Sequence, residues 1–216
     1  KMKTETKLLG IILLVTVVLI FGAVFFLGKD SGSPKNVENS TVSQIDYSRG
    51  QKIGSDSAKV KLVEFSDFQC PACRASEPFV KALRSNQNVQ VIYRYFPLPQ
   101  HSYGRKAAYL AAAAAEQGKF WEMHDKLFAT QSQWSPMPDA DVEAFFLSLA
   151  RDLGLDGAKV KLGITGDTFK AVIDAEIAEG NRLGVNSTPS FFLNGHKLNL
   201  QSFADLNTAV AQEIKK

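Results

Sequence analysis

The chain has 216 residues, 45% of them hydrophobic, with 25 basic against 22 acidic side chains and a net charge of +3. That length supports one sizeable cored domain, and the interspersed charges exclude the basic stripe of a nucleic-acid-binding surface. Only 2 cysteines are present, Cys70 and Cys73, with Pro71-Ala72 alone between them, which excludes a disulfide framework stapling distant segments and leaves the pair to local chemistry.

Residues 1–7 carry Lys1, Lys3 and Lys7 ahead of an uncharged run over residues 8–27, LLGIILLVTVVLIFGAVFFL. A helix spanning a bilayer needs about 20 apolar residues, whereas a cleaved leader has an apolar core of roughly 7–15 followed by small side chains. Phe25, Phe26 and Leu27 stand where small side chains would be needed. The run is therefore read as a retained transmembrane anchor, with a cleaved leader or a buried soluble helix as the alternatives. Lys29 and Lys35 follow it beside Asp30 and Glu38. The excess of lysine before the run sets residues 1–7 in the cytoplasm. The expectation is a single-pass protein of the cytoplasmic membrane whose domain lies on the extracytoplasmic side.

Residues 28–43, GKDSGSPKNVENSTVS, are polar and lack an apolar period, as a flexible linker would be. Extended, they would reach roughly 50 Å. Order is expected from Gln44 to the end, residues 44–216. Residues 60–68, VKLVEFSDF, are β-branched and aromatic and read as a buried strand. A helix follows from Cys70, with Ala75, Phe79, Val80 and Leu83 at helical spacing as far as Ser85-Asn86, and residues 89–96, VQVIYRYF, form a second strand ended by Pro97 and Pro99. Strand, helix, strand is a βαβ unit.

Between residues 101 and 182 the pattern turns helical. An alanine-rich stretch (106–117) is followed by helices over 120–130, 139–153 and 168–182, read together as an inserted helical subdomain. Strands return at 190–193 and 196–200 around Asn194-Gly195, a two-residue hairpin pair. A last helix carries Phe203, Leu206, Val210 and Ile214 on one face.

The cysteine pair lies where a strand meets a helix, with Cys70 at the N-cap and Pro71 at the first helical position, where its missing N–H costs nothing. First-turn N–H groups and the positive end of the helix dipole favour a thiolate at Cys70. A thiolate attacks disulfides and also leaves readily, so holding it favours the reduced form and makes the disulfide more oxidising. Cys70 is the reactive sulfur, and Cys73, a turn deeper, the resolving one. Two rival readings stand. A structural zinc site would need four ligands, and His101, His124 and His196 lack a paired metal-ligand spacing. Two inert core cysteines would leave Pro71 without a purpose.

At these residues the sequence resembles the DsbA-like branch of the thioredoxin superfamily. The resemblance rests on the segment 63–73 (VEFSDFQCPAC), on Pro78 within the active-site helix, on 116–124 (EQGKFWEMH), on the placement of the insertion between the second and third strands, and on 185–192 (VNSTPSFF). It implies an α/β thioredoxin fold with an inserted helical subdomain, and a thiol-disulfide oxidoreductase needing no cofactor and no metal. Pro189 would be cis and beside Cys70, and Thr188 would offer its backbone to an extended substrate next to Pro71 and Ala72. The alternative for Pro189 is a trans proline opening an edge strand. Glu64 would be a buried acid moving protons to or from Cys73, with a raised pKa; a solvent-facing strand carboxylate is the alternative.

Asp67 is expected to be exposed, His101, His124 and His196 to be surface or packing residues, and Trp121 and Trp134 to be core. The Pro71-Ala72 pair departs from the family's best-known oxidases, which carry a histidine between the cysteines. The implied activity is oxidation of reduced secreted proteins by a monomer, with reoxidation by a quinone-linked membrane partner. The same site run as a reductase or isomerase, and a non-catalytic tethered chaperone, are the competing readings.

Overall fold

The computed structural model describes residues 44–216. The expected anchor (8–27) and linker (28–43) lie outside the described residues. Among the described residues no helix is long and apolar enough to cross a membrane.

The elements run β1 (Gln51–Ile53), β2 (Val60–Ser66), α1 (Pro71–Arg84), β3 (Val89–Tyr95), α2 (Gly104–Ala115), α3 (Phe120–Ala129), α4 (Gln131–Trp134), α5 (Asp139–Asp152), α6 (Gly157–Thr165), α7 (Lys170–Arg182), β4 (Ser190–Leu193), β5 (His196–Lys197) and α8 (Ala204–Lys215). The strands form one sheet in the order β1-β3-β2-β4-β5, with β2 and β3 parallel and the other neighbours antiparallel. β2 and β3 read as continuous apolar runs because both faces of the sheet are covered. Val60, Leu62, Val89, Val91, Phe191 and Leu193 pack with Val80 and Leu83 of α1 and Leu206 and Val210 of α8. Val63, Phe65, Ile92 and Phe192 face the other way and pack with Ile177 of α7.

The insertion is the run α2 to α7, and its core is continuous with the cysteines. Phe68, Cys70, Cys73 and Tyr93 belong to the same buried cluster as Ala107, Leu110, Met123, Leu127, Trp134 and Phe146. The alanines of α2 allow close helix approach. A Cβ on Gly163 of α6 would lie 3.0 Å from the Ala113 Cβ. Asn194 (φ 46°) and Gly195 (φ 86°) take the left-handed conformations that a tight hairpin turn requires.

Four features differ from the sequence expectation. β1 gives no sequence pattern because it is three residues long and exists through its pairing with β3. α6 was not expected either, although Asp156 caps it by accepting from Ala158 N at 2.9 Å and Lys159 N at 3.2 Å. β5 stops at Lys197 instead of residue 200, with Leu198 and Leu200 packing on the α1 face as loop residues. Trp134 is fully buried as expected, but Trp121 is only partly so, its Nε1 donating to the Lys52 carbonyl at 3.1 Å and the Arg84 guanidinium lying over its ring.

Candidate functional site

Cys70 is the N-cap of α1 in extended conformation (φ −73°, ψ 122°), followed by Pro71, and no acidic side chain lies in the first turn. The amino end of the helix is therefore left to the sulfur. Burial leaves Cys70 6% exposed, and its thiol donates to the Thr188 carbonyl at 3.3 Å. The Thr188–Pro189 bond is cis. Pro71 and Ala72 are exposed beside the sulfur, Thr188 is buried, and Pro189 is partly buried. The structure thus brings Cys70 and Thr188 together across the gap between α1 and the loop ahead of β4.

The two sulfurs are held apart in acidity. A hydrogen bond from the Cys73 thiol, with the backbone N–H groups of Cys73 and Ala72, pulls the Cys70 thiol down to about 5 against the opposing effect of burial. Burial pushes the Cys73 thiol well up, helped by the neighbouring Cys70 sulfur and Glu64. Cys73 is wholly buried. Both cysteines are free thiols, so this is the geometry of the reduced pair.

Glu64 lies on the α1 face of β2, in register with Tyr93 and on the same side as Val60 and Leu62. The solvent-facing alternative does not hold, because Glu64 is 2% exposed. Burial pushes its carboxyl up to about 8, and Glu77 adds to the rise. It is therefore largely protonated near neutral pH, and it is buried close enough to Cys73 to influence the acidity of that sulfur.

Asp67 is corrected. It was expected at the surface, yet it is 1% exposed. Its carboxylate accepts from Gln69 N and Leu98 N, each at 2.8 Å, and meets His101 Nδ1 at 2.6 Å. It lies just past the end of β2, where strand alternation no longer assigns a side to it, and Leu98 N and His101 Nδ1 from the segment after β3 close over it. Gln131 also escaped sequence reasoning. From α4 its Nε2 donates to the carbonyls of Phe68 (2.7 Å) and Cys70 (2.9 Å). No sequence signal marks a lone glutamine for that role.

His124 is a packing residue, as expected. It is buried among Phe68, Tyr93, Phe120, Trp121 and Phe128, and burial pushes its pKa down to about 4. Ligand atoms of His124, Glu77 and Asp125 lie within 4.8 Å of one another. Arg84 Nη2 already sits 2.8 Å from both carboxylates and Lys81 Nζ 2.9 Å from Asp125. Those cations neutralise the charge that a metal ion would need.

A family model described as thioredoxin matches residues 48–212. Among curated relatives, the Na(+)/H(+) antiporter NhaA 1 of Salinispora arenicola is 39% identical over 156 residues, covering 71% of this chain and 23% of that protein. The chain thus spans less than a quarter of that relative's length. The "Probable disulfide bond formation protein D" of Bacillus anthracis is 28% identical over 230 residues, covering 100% of both. Among solved structures, a thioredoxin-like oxidoreductase from Silicibacter pomeroyi shares 29% identity at a TM-score of 0.63, over 77% of this chain and 92% of that one.

Proposed function

The chain belongs to the thioredoxin family, and from that membership we propose that it is a DsbA-like thiol-disulfide oxidoreductase introducing disulfides into secreted proteins through Cys70-Pro71-Ala72-Cys73. The observation that carries the reading is the placement of the two sulfurs, Cys70 at the proline-started amino end of α1 with its thiol 3.3 Å from the Thr188 carbonyl and Cys73 wholly buried one turn on, which pulls the first thiol down and pushes the second up. A substrate thiolate attacks Cys70 of the disulfide, Cys73 leaves as thiolate and takes a proton, and a second substrate thiol releases the product. Glu64 supplies and recovers that proton. Thr188 and Pro189, with Pro71 and Ala72, border the sulfur where the substrate segment lies.

The domain, residues 44–216, acts outside the cytoplasmic membrane as a monomer, held by the anchor (8–27) through the linker (28–43). A quinone-linked membrane protein reoxidises it. The apolar run and the lysines ahead of it support this placement. The antiport activity in one relative's name belongs to a protein of which this chain matches 23%, and it is not carried over.

Pro71-Ala72, without a histidine, favours a second reading in which the same site works as a reductase. The reduction potential of the pair, measured against glutathione buffers, separates the two. A value well above that of thioredoxin, roughly −270 mV, is expected; one at or below it would reverse the direction of electron flow. A second check is alkylation of Cys70 against pH. Its folded pKa is depressed, so the rate should rise through pH of about 5 and level off above it. The reduced form gains stability as pH rises from there towards the ordinary thiol value of 9.0 and loses it on acidification through about 5. An alkylation midpoint near the ordinary value would remove the basis of the oxidase reading.

A further inference from the structure

Asp67 takes no part in the exchange at sulfur, yet its carboxylate is buried and held from three directions. Oδ1 accepts from Gln69 N, while Oδ2 accepts from Leu98 N and meets His101 Nδ1. The third direction is α2. A Cβ on Gly104, the first residue of that helix, would lie 2.8 Å from Oδ1 and 3.1 Å from Oδ2. The carboxylate occupies space that only glycine leaves, at a helix end that attracts negative charge. The backbone N–H of the same residue donates to Cys73 Sγ at 3.5 Å.

We propose that Asp67 and His101 form a positioning pair that keeps this N–H on Cys73 Sγ and so stabilises the Cys73 thiolate during exchange. The inference rests on the exchange chemistry above. In the oxidising step the substrate sulfur's electron pair forms a bond to Cys70 Sγ, the Cys70–Cys73 bond breaks, and its electron pair passes to Cys73 Sγ, where the N–H receives it. In the reverse step the Cys73 thiolate attacks Cys70 and expels the substrate thiolate. Both directions pass through the same anion at Cys73. A hydrogen bond to a charged acceptor contributes more than one between neutral groups. Cys70 draws its stabilisation from the Cys73 thiol and the first-turn amides instead, so loss of Asp67 should affect one sulfur and spare the other.

The test follows both sulfurs in the full-length chain. The reduced protein is mixed with oxidised glutathione, and acid-quenched samples are resolved by mass into thiol, glutathionylated and internal-disulfide forms; parallel samples are alkylated with iodoacetamide, which reports the Cys70 thiolate. Asp67→Ala should slow decay of the glutathionylated form about 10-fold with alkylation of Cys70 altered less than about two-fold, and Asp67→Asn, which keeps an acceptor oxygen, should recover most of the rate. Should Asp67→Ala fail to fold, His101→Ala, at a site 19% exposed in its side chain, carries the same test with an expected slowing of about three-fold. Resolution unchanged, or resolution and alkylation falling together, overturns the proposal. A wild-type chain that forms no mixed disulfide would overturn the exchange reading itself, which separates the two failures.

Discussion

The sheet buries charge on both faces, and the two faces treat it in opposite ways. Neighbouring positions of β2 and β3 send Glu64 and Tyr93 towards α1 and Phe65 and Arg94 towards α7. On the α7 face Arg94, wholly buried, lies 3.4 Å from Glu176 and 3.1 Å from Glu179. Glu176 also accepts from Tyr95 N at 2.6 Å, and Glu179 from Asp46 N at 2.9 Å. That network joins β3, α7 and the first described residues. On the α1 face Glu64 makes no ion pair among the described residues, and burial, with the neighbouring Glu77 and Cys70 adding to it, drives its carboxyl up. A buried charge with partners holds elements together, whereas a buried acid without one becomes a proton donor that works at neutral pH. Even the paired face feels burial, which pushes Glu176 up to about 7 despite its partners.

The strongest test of that contrast is Arg94→Met, which strands two buried carboxylates. It should cost about 3–5 kcal/mol and lower Tm by roughly 10 °C while the pH profile of Cys70 alkylation stays in place. A loss of thiolate chemistry alongside Tm would show that the faces are not independent.

Glu64→Gln should act in the other sense. The folded carboxyl titrates near 8, above its ordinary value of 4.5. Its contribution to stability is thus full below that ordinary value and lost as pH rises through about 8. Removing the acid should make the variant more stable than the wild type by an amount that grows from pH of about 5 to about 8 and then levels off, reaching roughly 10 °C in Tm. Resolution of a mixed disulfide by Cys73 should slow by about ten-fold or more. Thermal scans across that pH range are the measurement, and a variant that loses stability at the alkaline end would remove Glu64 as an uncompensated buried acid.

The smallest effect is expected at Gly180, where an added Cβ would meet the Phe96 ring at 2.6 Å and Phe65 at 3.1 Å. Gly180→Ala should destabilise by about 1–2 kcal/mol through overpacking on the α7 face, measured by denaturant titration, with the rate of Cys70 alkylation unchanged. A slower alkylation would mean that packing strain crosses the sheet.

Much of this arrangement is legible in the chain. The Cys-Pro start of α1, the β2-α1-β3 unit and the Asn194-Gly195 turn depend on residues adjacent in sequence, so local chemistry reveals them. The direction of Glu64 was not legible, because Val63 and Phe65 are as apolar as Leu62 and no alternation distinguishes the faces of a strand buried on both. β1 was not legible because a three-residue strand has no pattern of its own. α6 was not legible either, because although Asp156 is a residue type that caps helices, the alternating residues behind it resemble a strand as much as a helix.

What the sequence by itself determined is which sulfur sits at a helix amino end and which sits a turn deeper, since N-cap, proline and dipole all act within one turn. The tertiary structure alone decided that Asp67 is buried, that Glu64 is buried near the cysteines without an ion-pair partner among the described residues, that Gln131 reaches the backbone at Cys70 and that the Thr188 carbonyl meets the Cys70 sulfur. Those facts depend on segments far apart in the chain closing over one another, and the burial that shifts an acid or a thiol is a property of that closure.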